Sequence, residues 1–178
     1  MNDVLLAMKK KDLNKEYAAF VGEDKAKYYL NKFEKMNDKD KKISFNISAF
    51  FFSTYWCFYR KLFLPGTIFL VLNFAGLYVS FMLQMGLMGN ILTAIPALVC
   101  GFFGNYLYLD YANKSITKAA DMSKEEKAKF YENNGDTSTR IVLGIIAAFL
   151  FFGLALLFSA GPEAVQNLPV PEIPTATK

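Results

Sequence analysis

The feature that most constrains this chain is a run of 48 consecutive residues, Leu62 to Leu109, without Asp, Glu, Lys or Arg. An α-helix rises about 1.5 Å per residue, so about 20 residues cross the roughly 30 Å hydrocarbon layer of a membrane. The run therefore suffices for two crossings and a short connection. Turn-forming residues cluster near its middle, from Gly86 to Asn90. We expect a transmembrane helical hairpin whose spans cover about residues 67–85 and 91–109.

A third apolar segment, Ile141 to Phe158, is the clearest single span. It contains 18 residues without a charge, and it is bounded by Arg140 and by Gly161-Pro162. The segment 161–178 that follows contains four prolines, which predicts an extended or disordered spacer.

The 17 uncharged residues from Ile43 to Tyr59 form the most distinctive segment. If the segment is helical, four positions spaced by seven, four and three residues fall on one side of the helix. These candidate stripe residues are Asn46, Ser53, Cys57 and Arg60. A one-sided polar stripe favours a helix that lies at the membrane interface or re-enters the membrane, with a true span as the alternative.

The distribution of charge favours the model in which Ile43 to Tyr59 does not cross. Residues 1–61 hold 13 Lys and Arg against 8 Asp and Glu, and residues 110–140 hold six of each sign. Without a crossing, both regions lie on the cytoplasmic side, in accord with the positive-inside rule. The N-terminus is then cytoplasmic, and three spans place the C-terminus outside. The side chains expected at the level of the lipid headgroups, as interface anchors, are Trp56, Tyr59 and Lys61.

The N-terminal region shows a helical, amphipathic pattern from Leu13 to Met36, interrupted at Gly22. Two short helices are expected, followed by a charged linker, residues 37–42. The aromatic stripe of the second helix indicates packing on the rest of the protein, and its Lys-rich face leaves contact with anionic lipid as the alternative. Further along, Ser123 and Glu126 form a capping box that opens a short helix in the cytoplasmic connection.

The predicted fold class is all-α: an integral membrane helical bundle with about three transmembrane helices, an interfacial or re-entrant helix and N-terminal amphipathic helices. The expected parts are the amphipathic helices and linker (1–42), the aromatic helix (43–61), the transmembrane hairpin (62–109), the cytoplasmic connection (110–140), the third transmembrane helix (141–160) and the Pro-rich tail (161–178).

Composition argues against several classes of activity. The chain has no His, which removes His-based nucleophile activation and the commonest metal ligand. Its two cysteines, Cys57 and Cys100, lie in separate apolar stretches, so neither a disulfide framework nor a zinc site is indicated, and both are expected to be packing residues. The predicted hairpin contains no charge, which argues against the hypothesis of a proton-coupled transporter. Its Asn73 and Asn105 are expected to form hydrogen bonds between helices.

Three groups of residues resemble a family of small bacterial inner-membrane proteins that is catalogued only as a domain of unknown function. The groups are Phe20-Val21-Gly22 with Tyr28-Tyr29-Leu30-x-x-Phe33; Phe45-Asn46-x-x-Ala49-Phe50-Phe51-Phe52 with Tyr55-Trp56-x-x-Tyr59-Arg60-Lys61; and Gly104-Asn105-x-x-Tyr108 with Ala112 and Ile116. The resemblance covers roughly residues 18–118. It implies a bacterial inner-membrane location and a paired-helix core, and it supplies no activity.

The sequence favours a non-enzymatic accessory or scaffold subunit that docks on other membrane proteins. We expect no catalytic residue, metal or cofactor, and as partners the lipid bilayer with a membrane protein or further copies of the chain. Nucleic acid is not expected, because the Lys residues flank apolar segments. The alternative is an oligomeric minor channel or transporter component, in which the polar stripe meets Asn105 at the cytoplasmic mouth.

Overall fold

The protein is helical throughout the part of the chain that its structure, a computed structural model, describes. That part is residues 2–159, with the side chains of residues 2–9, 152–153 and 155–159 left out of the description. The helices are α1 (Asn2–Val21), α2 (Glu23–Lys39), α3 (Ile47–Tyr59), α4 (Phe63–Phe81), α5 (Gly86–Lys118), α6 (Lys124–Asn134) and α7 (Thr139–Ser159). The described residues up to 139 and those from 140 onwards belong to two separate units. The predicted Pro-rich tail lies outside the described residues.

The N-terminal helices break where the sequence predicts. Gly22 separates α1 from α2 and has a φ of 88°, which is a backbone conformation that glycine adopts without strain. The aromatic face of α2 is packed inside the protein, as the packing interpretation predicts, because Tyr29 and Phe33 are buried. The helix continues to Lys39, so the charged linker is shorter than expected.

The hairpin consists of α4 and α5, which pack closely through small residues. A Cβ added at Gly89 would lie only 2.5 Å from the backbone oxygen of Gly76, so the two backbones are in contact. The predicted position of the turn is wrong. Gly86 to Asn90 already belongs to α5, and the connection is residues 82–85, in which Gln84 has a φ of 56°.

The start of α4 also corrects an expectation. This helix begins at Phe63, before the expected residue 67, because Pro65 lies in its first turn, where its missing N–H has no helical acceptor to lose. The end of α5 is another difference. This helix continues to Lys118, so its last turns lie beyond the end of the uncharged run at Leu109.

The aromatic segment forms a bent helix that begins later than expected. Asn46 is its N-cap, and the Asn46 side chain accepts a hydrogen bond from Ala49 N at 3.0 Å. Ser53, with a φ of 27° and a ψ of −99°, breaks the helix in the middle. Because the helix is not continuous from Ile43 to Arg60, the four predicted polar positions do not form one straight stripe.

The two halves of α3 form a V against the hairpin. In the first half, a Cβ added at Gly101 of α5 would lie 2.8 Å from the Phe50 ring. Directly after the kink, Thr54 accepts a hydrogen bond from Asn73, which lies about ten residues into α4. The second half returns to Arg60, whose guanidinium lies over the ring of Tyr108 near the polar end of α5. The kink therefore points along the hairpin, and both ends of α3 lie towards its open end.

The short helix α6 begins at the predicted capping box, in which Ser123 accepts a hydrogen bond from the backbone N–H of Glu126 and the Glu126 side chain accepts one from Ser123 N. It is attached to α1 by Glu16. The Tyr131 hydroxyl donates to Glu16 Oε2 at 2.5 Å, and Lys127 Nζ lies 3.2 Å from Glu16 Oε1. Burial, together with this bond to the carboxylate, raises the pKa of Tyr131.

Two of the described helices, α4 and α5, are long and apolar enough to cross a membrane. Only 17% and 22% of their most apolar windows are buried within the protein. The third predicted span, Ile141 to Phe158, coincides with α7. Its side chains are only partly described, so the described residues give two candidate spans where three were predicted.

Candidate functional site

The most unusual side chain in the described structure is Arg60, which follows α3 and is only 3% exposed. Its guanidinium carbon lies 4.5 Å from the ring centre of Tyr29, 5.2 Å from that of Tyr108 and 5.5 Å from that of Tyr59. We call these three residues the tyrosine cage. One ring comes from each of α2, α3 and α5, so Arg60 joins the end of α3 to two helices that are distant in sequence.

The charge of Arg60 has no carboxylate partner among the described residues, whose ion pairs lie elsewhere. Its Nε and Nη1 atoms are buried without a hydrogen-bond acceptor, and the Tyr108 hydroxyl is likewise unpaired. Guanidinium groups stack favourably on aromatic faces, and desolvated cation–π contacts reach about 2 kcal/mol. The rings therefore stabilise the buried charge in place of an anion.

The electrostatics of the cage do not suit acid–base catalysis. Burial raises the pKa of Tyr29, and the nearby Arg60 charge opposes that increase. Tyr29 therefore stays protonated at neutral pH. A protonated tyrosine beside a guanidinium does not accept a proton, so Tyr29 itself does not act as a general base at neutral pH.

Asn46 and Asn105 attach the start of α3 to α5. The Asn46 amide donates to Asn105 Oδ1 at 2.9 Å, and the Asn105 amide donates to Ser44 O at 3.1 Å and to Ser44 Oγ at 3.0 Å. The backbone continues this attachment, because Ser44 N donates to Phe102 O at 3.0 Å and Asn46 N donates to Gly101 O at 2.8 Å. The extended residues before α3 therefore have hydrogen-bond partners on α5.

Asn73 fixes the other end of the V. Its side-chain amide donates to Thr54 Oγ1 at 3.0 Å and to Phe69 O at 2.9 Å. The bond to Thr54 joins α3 to α4, which is the helix-to-helix hydrogen bonding expected for Asn73 from the sequence. Asn105, in contrast, bonds to the N-cap of α3 and to the segment before it.

The two cysteines lie together. Cys57 Sγ is 3.6 Å from Cys100 Sγ, and both side chains are fully buried and free. The sequence gives no sign of this contact, because the residues are 43 positions apart and belong to different helices. The contact depends on the second half of α3 lying beside α5.

The predicted interface anchors are mostly inside the protein. Trp56 is 5% exposed and packs edge-on against Tyr108, with ring centres 6.4 Å apart. Lys61, also buried, donates from Nζ to Glu132 O at 2.7 Å, and burial lowers its pKa. Tyr59 is half-buried in the tyrosine cage, and its carbonyl accepts from Ser138 N at 2.9 Å. An anchor at lipid headgroups needs an exposed side chain, so Trp56 and Lys61 do not fit that role.

The four residues of the predicted stripe lie in four different locations. Asn46 joins Asn105, Cys57 joins Cys100, and Arg60 enters the tyrosine cage, while Ser53 is half-buried at the kink. Sequence reasoning did not assign the cage residues Tyr29 and Tyr108 to a site. Both belong to the residue groups that carry the family resemblance, and this was the one available signal. Across the described part of the chain, no group of three or more His, Cys, Asp or Glu is placed to hold a metal ion.

Comparison with known proteins identifies a family. Neither the curated proteins nor the solved structures include a significant match to the chain. The family model described as "Protein of unknown function (DUF2628)" matches residues 12–114. The match contains the tyrosine cage, both asparagines of the α3 attachment and both cysteines. Because it covers more than half of the chain, this protein belongs to the DUF2628 family of proteins of unknown function.

Proposed function

We propose that this protein is a non-enzymatic accessory or scaffold subunit of a membrane, which docks on other membrane proteins. The observation that carries the proposal is the exposed apolar surface of the hairpin. The core helix of a soluble protein is mostly buried by its own chain, whereas α4 and α5 leave most of their apolar windows uncovered. We infer that lipid or another membrane protein covers this surface.

The V-shaped α3 supports a re-entrant element in the same membrane. Phe51 and Phe52, just before the kink, are 74% and 62% exposed and suit contact with lipid. Non-helical backbone is tolerated at membrane depth only where the protein itself satisfies its hydrogen bonds. The bonds from Ser44 and Asn46 to carbonyls of α5 meet that requirement.

The proposed location is the bacterial inner membrane, with α4, α5 and α7 as spans. The N-terminus and the segment 110–140 lie in the cytoplasm, and the C-terminus lies outside. The basic excess of residues 1–61 supports this orientation through the positive-inside rule. In this arrangement α1, α2 and α6 form a cytoplasmic head, which Arg60 and the tyrosine cage attach rigidly to the hairpin.

The first experiment tests whether a second membrane protein covers the hairpin. A photo-crosslinking amino acid is introduced at Val71, which is 61% exposed, or at Phe51, and the tagged chain is irradiated in its native membrane. We expect adducts to the same second protein from both positions, recovered as a defined particle in mild detergent. Phe69, on the same helix but buried, is the matched control and should give no adduct outside the chain.

The opposite result is equally clear. A strictly monomeric particle that gives only lipid adducts from Val71 and Phe51 would contradict a docking subunit. Extraction of the chain by alkaline carbonate, which removes peripheral proteins, would contradict membrane insertion itself.

A second candidate, an oligomeric channel or transporter component, is favoured by one observation. Helices broken at membrane depth occur in transporters where polar groups line a path, and here Ser53 breaks α3 beside the Thr54–Asn73 bond. Crosslinks between copies of the chain, with solute flux in liposomes that contain only this protein, would support this candidate. Flux that Asn73→Leu leaves unchanged would argue against a path at the kink.

A further inference from the structure

The proposed docking on other membrane proteins does not explain the contact between Cys57 and Cys100. They are the only cysteines of the chain, and a sulfur–sulfur distance of 3.6 Å places them in direct contact. A disulfide has a sulfur–sulfur length of about 2.05 Å, so the two sulfurs need to approach by only about 1.5 Å to form one.

The two sulfurs would approach each other through a change in the short piece of helix that carries Cys57. Cys57 lies in the half of α3 between the kink at Ser53 and the non-helical Lys61, which has a φ of 57°. Glycine faces it from α4, because a Cβ added at Gly66 would lie 3.3 Å from the Cys57 Cβ. The non-helical residues Ser53 and Lys61 therefore bound the piece of helix that carries Cys57.

We propose that Cys57 and Cys100 are a reversible modification site, at which a hydroperoxide oxidises the two thiols to an internal disulfide. The pair is fully buried beside apolar helices, so a small or lipid-soluble neutral oxidant reaches it more readily than a large charged disulfide such as oxidised glutathione. Hydroperoxides, including those of lipids, have this chemistry.

The reaction balances in two steps. The sulfur of one cysteine attacks the terminal oxygen of the hydroperoxide, the oxygen–oxygen bond breaks, and the thiol proton leaves on the other oxygen as an alcohol. The second sulfur then attacks the resulting sulfenic acid, the sulfur–oxygen bond breaks, and the second thiol proton leaves with the hydroxyl group as water. The two thiols lose two electrons, which the hydroperoxide gains.

The disulfide would connect α3 to α5 across the whole of α4, since 42 residues separate the two cysteines. It would hold the second half of the V against the hairpin and restrict its movement. This inference does not depend on the proposed docking function, because it concerns only contacts within the chain.

The experiment treats the full chain in its native membrane with tert-butyl hydroperoxide. The protein is then denatured, free thiols are blocked with iodoacetamide, and the intact mass is measured. We expect a form lighter than the reduced chain by two hydrogen atoms, with no alkylated thiol, and dithiothreitol should restore two alkylatable thiols. Two alkylated thiols after a treatment that fully oxidises a control dithiol peptide would overturn the proposal.

Single-cysteine variants are the matched controls. Cys57→Ser and Cys100→Ser each keep one thiol, so neither should give the form that is lighter by two hydrogen atoms, and a sulfenic acid on the remaining sulfur would instead add one oxygen atom to the mass. If the unmodified chain also gains oxygen and does not lose two hydrogen atoms, oxidation stops on separate sulfurs and the proposal is wrong. A disulfide found only between two copies of the chain would overturn it as well. The result for the unmodified chain is informative even if one variant fails to fold.

Discussion

The guanidinium of Arg60 lies 4.5 Å from the ring centre of Tyr29, on a helix that ends before α3 begins. This contact attaches the N-terminal helices to the end of the V that leads directly into α4. The ion pairs among the described residues do not include Arg60, and three aromatic rings lie around its guanidinium. The shape of the residue that carries the charge therefore matters more than the charge alone.

Substitutions at Arg60 should separate shape from charge. Arg60→Met fills similar volume and leaves no carboxylate unpaired, so we expect its free energy of unfolding to stay within about 1 kcal/mol of the unmodified protein. Arg60→Lys buries a compact, strongly hydrated charge that stacks poorly, and it should cost about 1 to 3 kcal/mol. Thermal unfolding in detergent measures both. A stable Arg60→Lys together with an unstable Arg60→Met would mean that the positive charge itself is required.

Two glycines in the first turn of α5 give a matched pair for the helix contact. Gly89→Ala places a Cβ 2.5 Å from the backbone oxygen of Gly76, and the helices must separate, which should lower the free energy of unfolding by about 1 to 3 kcal/mol. Gly86→Ala has its nearest neighbour at 4.0 Å and should stabilise by about 0.5 to 1 kcal/mol through helix propensity. Equal melting temperatures for the two variants would contradict close packing of α4 on α5.

Asn46 should be the most sensitive polar residue of α3. Asn46→Ala removes the N-cap and leaves Asn105 Oδ1 without its donor, so we expect a loss of about 2 kcal/mol in the free energy of unfolding. Ser48→Ala, at an exposed position two residues later, is the control and should change it by less than about 0.5 kcal/mol. Chemical denaturation followed by Trp56 fluorescence reports the difference. Similar curves for both variants would exclude an energetic role for the Asn46–Asn105 bond.

The buried Lys61 predicts a pH dependence of stability. Burial lowers its folded pKa below the ordinary value of 10.5, so between the folded pKa and 10.5 the unfolded chain binds more protons than the folded chain. Stability from this group must therefore rise with pH across that window. The difference between the melting temperature of the unmodified protein and that of Lys61→Met should shift in favour of the unmodified protein as the pH rises from neutral to about 10. A constant difference across this range would show that Lys61 has the same pKa in both states.

The helices themselves follow from the sequence, because the absence of charge over Leu62 to Leu109 and the break at Gly22 have local causes. The turn of the hairpin was misplaced for a physical reason. Gly89 serves close contact with Gly76, and the left-handed conformation in the connection falls on Gln84. Composition cannot separate these two uses of glycine.

The site depends on contacts that are distant in sequence and could not be predicted. The kink at Ser53 is accompanied by the Thr54–Asn73 bond, and the burial of Arg60 requires rings from α2 and α5. A helical projection of residues 43–60 assumes a straight axis, so it placed Asn46 and Arg60 on one surface. In the bent helix they have separate partners.

The hydrogen bonds of Ser44 and Asn46 also impose an order on biosynthesis. Their acceptors, Phe102 O and Gly101 O, belong to residues that the ribosome adds more than 50 positions later. The segment before α3 therefore has no partner for its backbone while α4 is being inserted. It has to wait in water or at the membrane surface and dock only when α5 has left the ribosome, so the N-terminal part of this protein completes its fold after the hairpin that follows it.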